Sequence, residues 1–220
     1  MKKIFTLLIA CIFFFATSTH AQINKGSTLI GGTLDLSSNN LKNPDSSLSK
    51  QTYFSISPSI GFALNTNTIL GFSLLYKINT GNGSLYPFKT KDNLYGAGMF
   101  LRKYQTLFNK FYLFGEGNFM FDYETYNYTV HEIIQSEYDS KAYSFSLNLT
   151  PGVAYTLTRK WQLEAGLQNL LAIGYTSSKE TSKSNLVNPD FKETGFALNS
   201  SFNPTTFNNI FIGLRFLINK

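Results

Sequence analysis

Cysteine is all but missing from this chain: the single one, Cys11, lies among its first residues. Beyond that region no disulfide or thiol chemistry is available. Histidine is nearly as scarce, with His20 and His131 the only two. One histidine outside the N-terminal segment, with no cysteine beside it, makes a bound transition metal unexpected, and no cofactor motif is present. Long hydrophobic runs are also missing. After Ala16 no apolar stretch approaches the ~20 residues of a membrane helix. Charge is sparse at 15% of residues, and the formal net charge of +6 includes Lys2 and Lys3, whose removal leaves +4. So small an excess gives no case for nucleic-acid binding.

What is present is a leader followed by many short alternating segments. Met1, Lys2 and Lys3 precede an apolar run from Ile4 to Ala16, and Thr19 and Ala21 are small residues placed before Gln22. This is the pattern of a secretory signal peptide over residues 1–21, leaving residues 22–220 as one domain. Leu8-Ile9-Ala10-Cys11 also reads as a lipoprotein box, but the apolar run before Cys11 is short and continues through Phe15. Aromatic residues make up 16% of the chain, with abundant Gly, Ser, Thr and Asn, which suits short strands joined by turns.

Period-two alternation picks out eight strands: Thr28 to Leu36, Tyr53 to Leu64, Thr68 to Ile78, Leu94 to Tyr104, Phe111 to Tyr123, Tyr143 to Leu157, Trp161 to Tyr175, and Ile210 to Lys220. In the second, Phe54, Ile56, Ile60, Phe62 and Leu64 alternate with Ser55, Ser57, Ser59, Gly61 and Ala63. The connections run long, short, long, short, long, short, long, from Ser37 to Gln51 through to Thr176 to Phe207. Long outer loops and short periplasmic turns are what an outer-membrane barrel requires. The expected fold is therefore all-β: an eight-stranded antiparallel up-and-down transmembrane barrel in the outer membrane. Thr194 to Phe202 carries Phe196, Leu198 and Phe202 on even positions, but Ser177 to Lys192 does not read as a strand, so the count stays at eight.

Aromatic positions supply a separate check. Tyr155 and Trp161 fall at the short-turn end, and Tyr76, Tyr95, Tyr123, Tyr143 and Tyr175 at the long-loop end, all on the apolar parity. Twelve residue steps from Tyr143 to Tyr155 at ~3.3 Å and ~45° tilt cover roughly 28 Å, close to the height of a barrel's apolar band. Two aromatic girdles are expected. A repeat at an offset of 93 relates Ser57-Pro58-Ser59-Ile60-Gly61-Phe62 to Thr150-Pro151-Gly152-Val153-Ala154-Tyr155. Proline inside a strand normally costs a ladder bond, so a bulge is expected at both Pro58 and Pro151.

The Pro58 to Leu74 hairpin, Tyr95 to Tyr104, Tyr112 to Asn118 with Gly115-Glu116, and the closing Gly213 to Ile218 together resemble the outer membrane protein beta-barrel domain family. More distantly they resemble the transmembrane domain of outer membrane protein A. The resemblance covers nearly all of residues 22–220 and implies location and fold with very little chemistry. It also implies that Gly213, Phe216 and Ile218 act as the C-terminal signal read by the outer-membrane barrel assembly machinery.

Parity turns Asp35, Lys77, Arg102, Glu116, Asp122, Glu164 and Arg215 inward. An eight-stranded barrel is just wide enough to be filled by side chains, and unpaired charges there are costly. An ion-pair network of Arg102, Glu116, Glu164 and Arg215 is therefore expected in the periplasmic half to middle of the lumen. It can be read as a structural plug or as a gate. Lys25, Lys103, Lys110, Arg159, Lys160 and Lys220 map to the periplasmic end as a basic rim beside lipid phosphates. His131 has Glu132, Ser136, Glu137 and Asp139 nearby in sequence, but a triad is defined by geometry, which sequence proximity does not supply.

The function expected is a non-enzymatic barrel, structural or presenting its outer loops to an extracellular ligand, with a plugged or narrowly conducting, porin-like lumen. Its partners would be outer-membrane lipids and the assembly machinery. The alternatives are an outer-membrane enzyme acting on lipid, a narrow channel for small solutes, and a secreted soluble barrel around a hydrophobic ligand.

Overall fold

The computed structural model describes residues 23–42, 48–83, 88–108, 110–130, 136–184, 190–200 and 210–218. Ten strands account for nearly all of them: β1 (Thr28–Lys42), β2 (Leu48–Ala63), β3 (Thr68–Gly83), β4 (Phe88–Phe108), β5 (Phe111–Val130), β6 (Ser136–Thr156), β7 (Trp161–Leu167), β8 (Leu171–Ser184), β9 (Asp190–Ser200) and β10 (Ile210–Ile218). All pairings are antiparallel. The order β5-β4-β3-β2-β1-β10-β7-β6, with β5 also paired to β6, closes an eight-stranded barrel.

The ten strands and the eight-stranded wall agree because two wall strands are made of two pieces each. β6 pairs with β7 through Gly152–Thr156 and with β8 through Ser136–Leu149. The single strand expected from Trp161 to Tyr175 is therefore broken at residues 168–170, where Asn169 takes a φ of 52°. Asn tolerates that left-handed conformation better than most residues. β10 pairs with β7, and β9 pairs with β8, placing Phe196 against Tyr175 and Leu198 against Ile173. Two expectations are corrected here. Residues 177–184 do form strand, and 190–200, within the stretch expected as the last long connection, form a strand that pairs with β8 from Thr181 down to Leu171.

The prolines also differ from expectation. Opposite Pro151 the ladder to the next strand shifts by two residues, but the extra residues lie at 167–170 on the facing strand, so the Pro151 strand itself carries no bulge. At Pro58 the register with β3 is the same on either side of a gap at Ser57 and Pro58. One lost ladder bond is tolerated there without an inserted residue. The ladder between β1 and β10 covers only Thr28 to Ile30 rather than the whole of Thr28 to Leu36. It stops where Gly31 faces Arg215: a Cβ at Gly31 would lie 2.7 Å from Arg215 Nη1.

Strand pairing extends well past the ends expected from alternation. β4 and β5 pair from Phe108 and Phe111 up to Phe88 and Val130, and β5 and β6 continue to Val130 and Ser136. Much of what the sequence suggests are loops is thus a ribbon of sheet that continues the wall through β1 to β6, β8 and β9. At one end of this ribbon, Lys179 Nζ lies 2.9 Å from Asp190 Oδ2, and the Thr181 hydroxyl donates to Asp190 Oδ1 at 3.0 Å. These hydrogen bonds hold the Asp190 carboxyl below its ordinary range, the Lys179 bond first and the Thr181 bond second. A lowered folded pKa gives a contribution to β8–β9 pairing that is present above ~3.9 and lost as pH falls through the folded value. A carboxyl NMR titration should place the Asp190 midpoint below that reference and return it upward in Lys179→Met. An Asp190 midpoint unmoved by that change would contradict the pairing.

The two faces of the wall differ sharply. Outside, Leu74, Leu101, Phe119, Leu147 and Ile173 stand exposed along consecutive strands. So continuous an apolar surface is far beyond what a water-soluble monomer presents. Inside, the end with tight turns holds the core: Ile23, Leu29, Ala63, Ile69, Phe100, Tyr104, Tyr112, Phe114, Ala154 and Leu217 are buried together.

Candidate functional site

The lumen is divided into a filled half and an open half by four charged side chains. Arg102 on β4 stands directly opposite Glu116 on β5 in the strand register. Its Nε donates to Glu116 Oε2 at 2.7 Å, while Nη1 donates to Glu164 Oε2 at 2.5 Å and to the Tyr104 hydroxyl at 3.1 Å. From β10, Arg215 Nε donates to the other oxygen of Glu164 at 2.6 Å, and its Nη1 reaches Ser59 Oγ. Glu164 is therefore clasped by two arginines, one on each oxygen.

The group is balanced in charge and almost wholly removed from water, Arg102 being 1% and Glu164 2% exposed. Such desolvation costs several kcal/mol per ion unless geometry and further hydrogen bonds compensate. Both conditions are met. Each arginine uses more than one N–H, and the Arg102 guanidinium carbon lies 4.3 Å from the Phe114 ring centroid, where the ring's negative face adds attraction.

Beneath the network is an aromatic layer. Tyr104 packs against Tyr112 and Phe114 at centroid separations of 6.3 and 6.0 Å. On the cavity side of Arg102, opposite Asn118, Phe100 fits because Gly71 faces it from β3: a Cβ there would meet the ring and lie 2.5 Å from the Ile60 carbonyl oxygen. Above the network a cavity of about 440 Å³ opens, floored by Arg102, Glu116 and Arg215. Its walls are Ser55, Ser73, Asn118, Ser146 and Asn148, with Asp35, Lys77 and Asp122 of mixed sign. This is a polar vestibule above the charged network.

On the outer face, Tyr76, Tyr95, Tyr123 and Tyr143 pair in one row across β3, β4, β5 and β6. Tyr76 and Tyr95 rings lie 5.3 Å apart, and Tyr123 and Tyr143 4.9 Å. Tyr175 pairs with Phe145, one step below that row. At the tight-turn end, the Phe111 ring lies tilted against Tyr155 at 4.6 Å and against Phe108 at 4.9 Å, and Trp161 meets Phe216 at 4.9 Å. Aromatic side chains thus lie at both ends of the apolar band over much of the wall.

No protein-family model and no curated protein matches the sequence. Solved structures do. The translocator domain of autotransporter NalP from Neisseria meningitidis is similar at a TM-score of 0.54 and 13% identity, over 90% of this chain and 65% of that one. The outer membrane protein OprG from Pseudomonas aeruginosa aligns at a TM-score of 0.43 and 12% identity, over 91% of this chain and 100% of its own. The present chain thus spans about two thirds of the NalP domain's length.

The fold is that of an outer-membrane β-barrel. With the apolar band and its bracketing aromatics, it places the chain in the outer membrane.

Outer-membrane barrels as a class keep their short turns on the periplasmic side. Lys25, Lys110, Arg159 and Lys160 lie in the turns at that end, Lys110 with a φ of 68°. Lys103 lies on β4 opposite Thr68 at the foot of the wall. Lys220, His131 and Glu132 lie outside the described residues. Of the acids near His131, Asp139 accepts the Asn127 side-chain amide and Glu137 pairs with Thr129 in the ladder. Among the described residues no group of three His, Cys, Asp or Glu could hold a metal ion.

The structure brings Arg102, Glu116, Glu164 and Arg215 together. Sequence reasoning missed Tyr104, Phe100 and Phe114 beside them, and Phe108, Phe111 and Phe216 in the lower ring. The signal was present: Phe100 and Tyr104 share the parity of Arg102, and Phe114 that of Glu116.

Proposed function

We propose that this is a non-enzymatic outer-membrane barrel whose lumen is plugged, and whose role is structural or is carried by its tall outer ribbons as a binding scaffold. The observation that carries this reading is the Arg102–Glu116–Glu164–Arg215 network lying on a buried aromatic layer. A narrow eight-stranded lumen so filled offers no continuous water path for a solute. Among the described residues no group of three His, Cys, Asp or Glu could hold a metal ion, and the vestibule wall is mainly serine and asparagine with Asp35, Lys77 and Asp122. The basic residues at the periplasmic turns suit contact with inner-leaflet phosphates, which would hold the barrel at a fixed depth. Gly213, Phe216 and Ile218 on the closing strand suit recognition by the barrel assembly machinery.

Planar-bilayer recording tests the plug. The native protein is expected to give no steady conductance, and Glu164→Ala to give bursts of small openings. Steady, uniform conductance from the native protein would favour the narrow channel instead.

A further inference from the structure

Above the tyrosine row the outer face of β2 to β5 changes character. Two successive rows of the ladder read Thr52, Thr80, Lys91, Asn127 and then Lys50, Asn82, Lys89, Thr129. The registers are unshifted down to Tyr76, Tyr95 and Tyr123, so these eight side chains share the lipid-facing side of the wall. They line a cleft of about 400 Å³ that holds three lysines and no acidic residue. None of Lys50, Lys89 and Lys91 makes an ion pair among the described residues. By contrast, Lys179 on β8 is paired with Asp190. The ribbon's acids begin at the edge of the cleft, where Thr129 and Asn127 pair with Glu137 and Asp139.

Height above the membrane narrows the occupant. Lys91 is four residues above Tyr95, about 13 Å along the strand and roughly 9 Å along the membrane normal at ~45° tilt. Tyrosine rings mark the headgroup boundary, so the lysines stand at the level of the headgroups of the outer leaflet, with long stems able to reach downward. Neighbouring strands are ~4.8 Å apart. Three uncompensated ammonium groups so close together repel one another unless an anion lies between them. Threonine hydroxyls and asparagine amides among them match the donors and acceptors of a sugar.

We propose that this cleft binds the phosphorylated sugar headgroup of an outer-leaflet glycolipid, the lysines taking phosphate and the threonines and asparagines taking sugar hydroxyls. The inference is independent of the plugged lumen and concerns the opposite face of the wall.

The test uses the full-length barrel in nanodiscs of phosphatidylcholine doped with bisphosphorylated lipid A, its dephosphorylated form, or phosphatidylglycerol, and reads lipid retention by native mass spectrometry. Native protein should retain bisphosphorylated lipid A. The triple change Lys50→Gln, Lys89→Gln, Lys91→Gln should weaken retention by about 100-fold, at the strength typical of basic residues near a membrane surface. Dephosphorylated lipid A should be retained as weakly by the native protein. The changes Lys141→Gln, Lys179→Gln and Lys192→Gln, on another part of the ribbon, should have little effect. All variants lie on the surface, and unchanged heat-modifiable migration on gels checks their folding. Equal retention by the native protein and the first triple variant would overturn the proposal. So would equal retention of phosphatidylglycerol and lipid A, which would mean attraction to negative charge alone, or an equal loss from both triple variants.

Discussion

Glu164→Ala is expected to destabilise the folded barrel by about 3–5 kcal/mol, the cost typical of removing one partner from a buried ion pair. Glu164 carries one arginine on each carboxylate oxygen, so its loss leaves Arg215 with only Ser59 and Arg102 with Glu116 and the Tyr104 hydroxyl. Two guanidinium groups then face a space that one carboxylate no longer balances. Glu164→Gln, which keeps an acceptor but not the charge, should fall between the native protein and the alanine variant. Denaturant unfolding in lipid vesicles measures both. A Glu164→Ala midpoint within experimental error of the native one would mean that the network is decoration on a lumen closed by its aromatic layer alone.

The second large effect concerns the other face of the same wall. Leu147 lies on β6 four residues below Tyr143 and eight above Tyr155, so it sits well inside the apolar band, a third of the way down. It is 54% exposed in the absence of lipid, while its neighbour Ser146 lines the vestibule. Leu147→Arg should cost about 2–4 kcal/mol, the value for arginine on the lipid face near the bilayer midplane. Ser146→Arg should cost far less, because its charge enters a wet cavity that already holds Asp122 and Glu116. If the two arginines cost the same, or the order reversed, lipid would not be on the Leu147 side, and a soluble barrel around a greasy ligand would regain standing.

Faces were the most legible feature of the sequence, because within the apolar band the chemistry alternates residue by residue. Arg102, Glu116, Glu164 and Arg215 could be placed on one side by parity, and their meeting follows from the narrowness of the lumen. The height of the outer ribbons was not legible. Above Tyr95, residues Lys89, Thr90, Lys91, Asp92 and Asn93 are polar on both faces, so alternation vanishes while backbone pairing continues. For the same reason residues 177–184 did not read as strand. The break between β7 and β8 was hidden because Trp161 to Tyr175 keeps enough apolar residues to read as one strand, while Asn169 supplies the left-handed turn that interrupts it. The aromatic layer was missed for a different reason. Phe100, Tyr104 and Phe114 are apolar side chains on the polar parity, which a rule of greasy outside and wet inside discards. They are inside because an eight-stranded barrel with a closed end needs a core there as a soluble domain does, and Gly71 and Gly152 are small where Phe100 and Phe114 are large.

A plugged lumen is one that is open above the four-residue network and shut below it. Because Cys11 is the only cysteine and lies in the expected leader, single cysteines can be introduced one at a time. Ser146 and Ala154 stand on the inward face of β6, eight residues apart, one in the vestibule wall and the other buried at 2% exposure directly opposite Glu164 in the strand register. Ser146→Cys and Ala154→Cys in intact outer membranes should be treated with a thiol reagent that does not cross the bilayer. The account predicts rapid labelling of Ser146→Cys from outside and none of Ala154→Cys until the protein is unfolded. Labelling of Ala154→Cys from outside at a rate comparable to Ser146→Cys would contradict it.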